Sequence, residues 1–350
     1  MLSKLWLCLI FIPFLTGCDS ARYYYQVAEG HLKIMSARES ISMLVKDKTR
    51  PEKERKQLRR VLELREFADK ELQLPVENLY SEYVDLHRSH VVWNVIAAPE
   101  FSMSPHKWCF PIAGCVSYRG YFAQETAQQY ALELQKENYD TYIGGASAYS
   151  TLGWFEDPVL NTFLYRGDAS LAALLFHEIS HNVLYVKGDS AFNESFATTI
   201  ELEGLARWLK TQPKGDLLQK HIDKKTRRKE FVSLVLEHRK LRINLYKSKI
   251  EQAKMREEKS KLIVSLQNDY IQLKDSWGGY AGYDAWFDGP LNNAQLSTVA
   301  TYHSLVDGLQ VLLANHQHDL PSFYEACKQL AALDKKSRHH KIQQLVTHKS

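Results

Sequence analysis

The stretch that most constrains this chain is residues 171–182, Leu-Ala-Ala-Leu-Leu-Phe-His-Glu-Ile-Ser-His-Asn. Its apolar half predicts a buried helix, and His177, Glu178 and His181 form an H-E-x-x-H pattern within it. Residues four apart on a helix share a face about one turn apart. Two imidazoles so placed can both reach one Zn²⁺, at about 2.0–2.1 Å each. Glu178 follows the first ligand directly and is placed to take a proton from the attacking water rather than to bind the metal. Asp168, three residues before Leu171, reads as the N-cap of this helix. Lys187-Gly188-Asp189 reads as its stop signal.

A hydrolytic zinc site usually has three protein ligands and one open position. Phe192-Asn-Glu194-Ser-Phe-Ala supplies the third. A second helix starting near Asn193, itself a good N-cap, puts Glu194 in the first turn facing the histidines. Only twelve residues separate His181 from Glu194, so the intervening turn must be tight. Asp189 and Glu201 compete for the third position. Asp189 lies in the turn, where aspartate is common for backbone reasons alone. Glu201 lies seven residues past Glu194, on the same helix face, and reads either as a carboxylate that orients a ligand histidine or as a solvated glutamate. Without a metal, the same residues would make a buried helix with two hydrogen-bonded histidines and a glutamate at a helix start.

The amino terminus reads as a lipoprotein signal peptide over residues 1–17. Lys4 precedes an apolar run over residues 5–15, and Leu15-Thr-Gly-Cys18 matches the bacterial lipobox. The run is too short to span a membrane as a mature helix. A lipobox implies cleavage before Cys18 and acylation of that residue, a firm lipid anchor. Asp19 resembles the signal for retention at the inner membrane in enteric-type Gram-negative bacteria. The expected location is therefore the periplasmic side of a bacterial membrane. Export exposes the chain to an oxidising compartment, so Cys109 and Cys115 can close a small loop as a disulfide, or stay as buried thiols. Cys327 is the odd cysteine and reads as packing. The formal charge of +4 is small for this length and gives no argument for a nucleic-acid partner.

Residues 18–350 are long enough for one large domain, and four regions differ in character. Residues 21–75 read as helical, the second helix stopping before Pro75. Residues 76–212 hold β-rich stretches, among them 91–98 and 115–122, and then the metal helices. The strand-like 146–152, just before the metal helix, is where a substrate chain could pair with a sheet edge. Residues 216–275 are highly charged with no Gly or Pro, too long for one globular helix, and predict a solvated helical hairpin turning near 248–254. Helices follow over residues 276–350. His316, His318, His339 and His340 sit in polar stretches and read as solvated.

Several of these stretches occur together in one order. They are Trp108-Cys-Phe-Pro-Ile-Ala-Gly-Cys115, Tyr118-Arg-Gly-Tyr-Phe122, Ala148-Tyr-Ser-Thr-Leu-Gly-Trp-Phe155, the metal helix, Phe192-Asn-Glu-Ser-Phe-Ala197 and Pro290-Leu-Asn-Asn-Ala294. In that order the chain resembles a bacterial zinc aminopeptidase family whose members are often lipoproteins. The segment around Glu194 is also similar to the Asn-Glu-Gly-Phe-Ala segment of gluzincin aminopeptidases, although the spacing from the histidines is shorter here. The resemblance implies a zincin-like α+β fold, mostly helical, with the hairpin as an insertion. It implies Zn²⁺ held by His177, His181 and Glu194, peptide substrates, and Glu178 as the catalytic base. It places a tyrosine on a helix near the end of the chain, at Tyr302 with Tyr283 as the rival, to stabilise the oxyanion. An envelope chaperone or scaffold, or a partner-binding protein using the hairpin, is the alternative on such a fold.

Overall fold

The computed structural model describes residues 15–110, 114–148, 157–213, 217–299 and 305–347. Helix α1 (Leu15–Ser36) leads through β1 (Glu39–Ser40) and the single turn α2 (Ile41–Leu44) to α3 (Glu52–Leu72). Then come β2 (Glu82–Val84), β3 (Val92–Pro99), β4 (Trp108–Phe110), β5 (Gly114–Val116), β6 (Arg119–Tyr121), α4 (Gln124–Lys136) and β7 (Tyr139–Ala146). Next are β8 (Val159–Leu160), α5 (Asn161–Leu164), α6 (Asp168–Ser180) and α7 (Ser190–Thr211). The remainder is helical: α8 (Leu217–Lys247), α9 (Gln252–Ser276), α10 (Asp284–Phe287), α11 (Asn293–Ser297), α12 (Val306–Asn315), α13 (Leu320–Ala331) and α14 (Lys335–Thr347). The architecture is α+β and mostly helical.

The main core forms because three helices carry apolar stripes that need one another. In α3 the buried Leu58, Val61, Leu64, Ala68 and Leu72 recur every three or four positions. Gln73 then takes a left-handed conformation (φ 52°) and Pro75 bars continuation. α3 packs on α6, and α6 on α7. Gly204 of α7 allows the close approach, since a Cβ there would lie 2.6 Å from Leu72 and 2.9 Å from Phe176. Phe176, Phe192, Phe196 and Phe323 fill the space between them.

β3 is the middle strand of the antiparallel sheet β6-β3-β7. Its near-continuous apolar sequence follows from burial on both faces. Trp93, Val95 and Ala97 meet Ala127, Ala131 and Leu134 of α4, while the alternate Ile96 and Ala98 meet Ala294 of α11. β7 lies at the edge of this sheet. Asn292 closes part of that edge by donating to Thr141 O at 2.8 Å. The proposed substrate strand 146–152 lies only partly within the described residues: β7 ends at Ala146, and 149–152 fall outside. β4 and β5 form a two-stranded hairpin joined by a Cys109–Cys115 disulfide. Cys327 is a buried thiol.

α8 and α9 form a hairpin that turns at residues 248–251. One side of it is not solvated, contrary to its charged sequence. Phe231, Val235, Leu266 and Tyr270 bury against Phe287, Leu291 and Leu296. Charged residues dock the hairpin on the sheet. Lys259 pairs with Asp140 at 2.7 Å, and the fully buried Arg242 donates to Leu291 O at 2.7 Å. Asn293 joins the three parts by donating to Glu100 O at 2.9 Å and accepting from the Tyr246 hydroxyl at 2.7 Å. The Leu-Asn-Asn-Ala stretch is therefore a docking element.

Among the described residues no helix is long and apolar enough to cross a membrane. Residues 1–14 of the signal stretch lie outside the described residues.

Candidate metal centre

α6 ends earlier than its stop signal suggested. Its last helical residue is Ser180, and His181 is the C-cap, still in right-handed geometry (φ −60°, ψ −20°). The four-residue spacing therefore keeps both imidazoles on one face, with ring centroids 5.1 Å apart. Asp168 is not the N-cap. Gly167 takes that place, and Asp168 in the first turn pairs with Arg60 at 3.0 Å, a position favoured by the helix dipole.

α7 also differs from expectation at its start. It begins at Ser190 with Asp189 as N-cap, the Asp189 side chain accepting from Phe192 N at 3.3 Å. Asn193 instead pins the turn between the helices, accepting from Val186 N at 2.8 Å and donating to Val186 O at 2.9 Å. Glu194 thus falls in the second turn of α7 rather than the first, and still faces the histidines. Its Oε2 is 3.3 Å from His177 Nε2, and its Oε1 is 3.8 Å from His181 Nε2.

These separations suit a shared ion. Two ligands at about 2.1 Å from one centre lie at most about 4.2 Å apart. Among the described residues, His177, His181 and Glu194 are the group whose donor atoms converge in this way. His181 is buried, and its Nε2 stands 3.8 Å from Glu194 Oε1, too far for a hydrogen bond. That separation fits two ligands of one ion better than a hydrogen-bonded structural pair. Glu201 Oε2 lies 3.1 Å from His177 Nδ1, the contact that turns the opposite nitrogen toward the site.

The local field favours a cation. Burial lowers the His177 pKa, but the hydrogen bonds to Glu194 and Glu201 outweigh it and bring it to about 10. Burial pushes Glu178 up to about 7, helped by the charges of Glu194, Asp157 and Glu201. Burial and the neighbouring His177 take His181 down to about 4. Four carboxylates, Glu178, Glu194, Glu201 and Asp157, thus act on these two imidazoles or on one another, surroundings that suit a divalent ion.

Asp189 is not part of this group. Its carboxylate is buried against Arg338 at 2.9 Å and His339 at 2.9 Å, so His339 is not the solvated residue its polar surroundings suggested. Tyr302 lies outside the described residues. Tyr283 stacks on Phe231 of the hairpin at 4.3 Å, and its charged neighbours are Arg228 and Arg227 rather than the metal group. Two tyrosines that sequence reasoning passed over stand closer. Tyr118, in the turn between β5 and β6, is within electrostatic reach of Glu194, and the buried Tyr80 is within reach of Glu178 and Asp157. Tyr118 belongs to the Tyr-Arg-Gly-Tyr-Phe stretch that carried the resemblance, the one signal that could have pointed to it.

A comparison with known families matches residues 22–342 to the one described as "Putative aminopeptidase". No curated protein and no solved structure matches the chain.

Proposed function

The chain belongs to the putative aminopeptidase family, and from that membership we propose that it is a zinc-dependent aminopeptidase on a zincin-like fold, anchored by lipid at the periplasmic face of a bacterial membrane. Family membership carries the peptidase class. The observation that carries the metal is the convergence of His177, His181 and Glu194 beside Glu178.

In this reading His177, His181 and Glu194 hold the ion, and Glu201 orients His177 through Nδ1. Zinc supplies Lewis-acid polarisation of the scissile carbonyl and acidifies the attacking water. Glu178 takes the proton as the water oxygen adds to the carbonyl carbon. When the C–N bond breaks, Glu178 returns that proton to the leaving amine, so water is divided between the two products. A tyrosine hydroxyl donates to the oxyanion. Tyr302 is our assignment by family resemblance, with Tyr118, within electrostatic reach of Glu194, the alternative among the described residues. Among the described residues β7 is an edge strand, and it offers backbone groups for an extended substrate. Residues 18–350 act as one peptidase unit, with the hairpin as an insertion.

The test of the activity uses peptides with free and with acetylated amino termini. Stepwise release of amino-terminal residues from the free peptides, abolished by a chelator and restored by zinc, is the expected result. Equal cleavage of blocked peptides at internal bonds would replace aminopeptidase with endopeptidase, and no cleavage of any peptide would favour a scaffold.

The anchor has its own test. Full-length protein expressed in a bacterium that processes lipoproteins takes up radiolabelled palmitate, and Cys18→Ser takes up none. Equal labelling of the two proteins contradicts the anchor.

A further inference from the structure

Two cations near the metal group have no carboxylate in ion-pair contact among the described residues. Arg166, in the loop between α5 and α6, donates through Nη2 to Ser147 Oγ, just past the end of β7. Lys224, at the start of the third turn of α8, donates to Ser170 Oγ at 3.1 Å. Ser170 precedes His177 by seven positions on α6. Seven residues are two helical turns, which puts the two on one face. At about 1.5 Å rise per residue, they are about 10 Å apart along the axis.

The two cations lie within electrostatic reach of one another. Lys224 lies within electrostatic reach of Arg166, Arg228 and Glu201, and His221 lies within reach of Glu201. Glu201 is already engaged by His177 Nδ1 at 3.1 Å and cannot serve as a close partner for both cations. Burial lowers Arg166, and burial together with Arg166 lowers Lys224, so the surrounding protein makes each charge more costly to hold. Both residues remain exposed, so a ligand can reach them. Two such cations with no carboxylate in ion-pair contact among the described residues form a receptor for an anion, and a guanidinium with an ammonium suits a carboxylate.

Resting on the aminopeptidase reading, we propose that Arg166 and Lys224 form a subsite for a substrate carboxylate about three residues beyond the scissile bond. For a substrate extended along α6 at about 3.3 Å per residue, about 10 Å corresponds to three residues. Ser147, which holds Arg166, continues β7, the strand with the partly open edge. Such a carboxylate is either the C-terminus of a tri- or tetrapeptide or an acidic side chain in a longer peptide. The enzyme would then prefer short peptides or acidic sequences.

The test measures binding by calorimetry to zinc-loaded Glu178→Gln protein, so that turnover does not intervene. The probes are a tetrapeptide as free acid and as amide, and two amidated octapeptides with Glu or Gln at the fourth position. The expected result is a preference of about 10- to 100-fold for the carboxylate form in at least one pair, as for a charge-assisted hydrogen bond. That preference collapses toward one in Arg166→Ala/Lys224→Ala and is partly kept in Arg166→Lys, with melting temperatures showing that the variants fold. A preference in the tetrapeptide pair alone identifies the free C-terminus, and one in the octapeptide pair identifies the acidic side chain. Equal binding within both pairs, or a preference that survives in the double variant, overturns the subsite. If the peptides do not bind and wild type hydrolyses none of them, the aminopeptidase reading itself has failed; hydrolysis by wild type without any acid preference fails the subsite alone.

Discussion

Glu178→Gln is expected to slow peptide hydrolysis by roughly 10²–10⁴-fold, the usual contribution of a positioned general base. Glu178 is next to His177 but is not one of the three residues whose donor atoms converge. Glutamine keeps the size and removes the basic oxygen, so metal content should stay at the wild-type level. Stability should change little as well, because burial already disfavours the ionised form of this carboxyl. The loss should appear in kcat with KM nearly unchanged, since the base acts in the transition state rather than in binding. Hydrolysis by the variant at the wild-type rate, in a preparation free of contaminating peptidase, would remove Glu178 from the mechanism.

Arg338→Ala is expected to cost about 3–5 kcal/mol of stability, the range for breaking a buried ion pair from one side. The side chains of Arg338 and Asp189 are 3% and 1% exposed, and their charged atoms are 2.9 Å apart. The same guanidinium donates to Ala331 O and Leu333 O, both at 2.9 Å, carbonyls at the end of α13. Truncation leaves Asp189 buried, with His339, the more distant Lys335 and the Phe192 N–H beside it. Asp189 caps the helix that carries Glu194, so weaker metal retention should accompany the lost stability. Burial raises the Asp189 pKa, but His339 and Arg338 more than offset this and hold it below the ordinary aspartate value. A depressed carboxyl stabilises the fold above its unfolded pKa of about 3.9, and that contribution disappears as pH falls through the lower folded value. Wild type should therefore lose stability on acidification below about pH 4, a dependence reduced in Asp189→Asn. Urea unfolding reads both effects. A shift of less than about 1 kcal/mol in Arg338→Ala would mean that the pair contributes only as a surface bridge does.

That His177 and His181 share a face was legible in the sequence because it is local: an i, i+4 pair on an apolar helix has one geometry. The placement of Glu194 beside them was legible for a similar reason, as the acidic residue of a short motif close behind. The helix starts were not. Asp189 and Asn193 are both good caps, and the choice between them rests on Arg338 and His339, far away in sequence. Asn193 is then free to pin Val186, which shortens the turn that the spacing required. The hairpin misled for the same reason. Lys259, Arg242 and His238 read as solvated charge, yet each is buried on a distant partner: Asp140, Leu291 O and Asp269. Composition records how many charges a helix carries. It does not record which of them find an anion or a carbonyl from another part of the chain.

The central claim is that His177, His181 and Glu194 hold a zinc ion, and metal analysis tests it most directly. Purified protein, dialysed against metal-free buffer and titrated with zinc, is measured by mass spectrometry of the elements beside His177→Ala of matched melting temperature. The account predicts about one tightly held zinc per wild-type chain and none in His177→Ala. A wild-type chain that retains no zinc, or a His177→Ala chain that retains one, contradicts it.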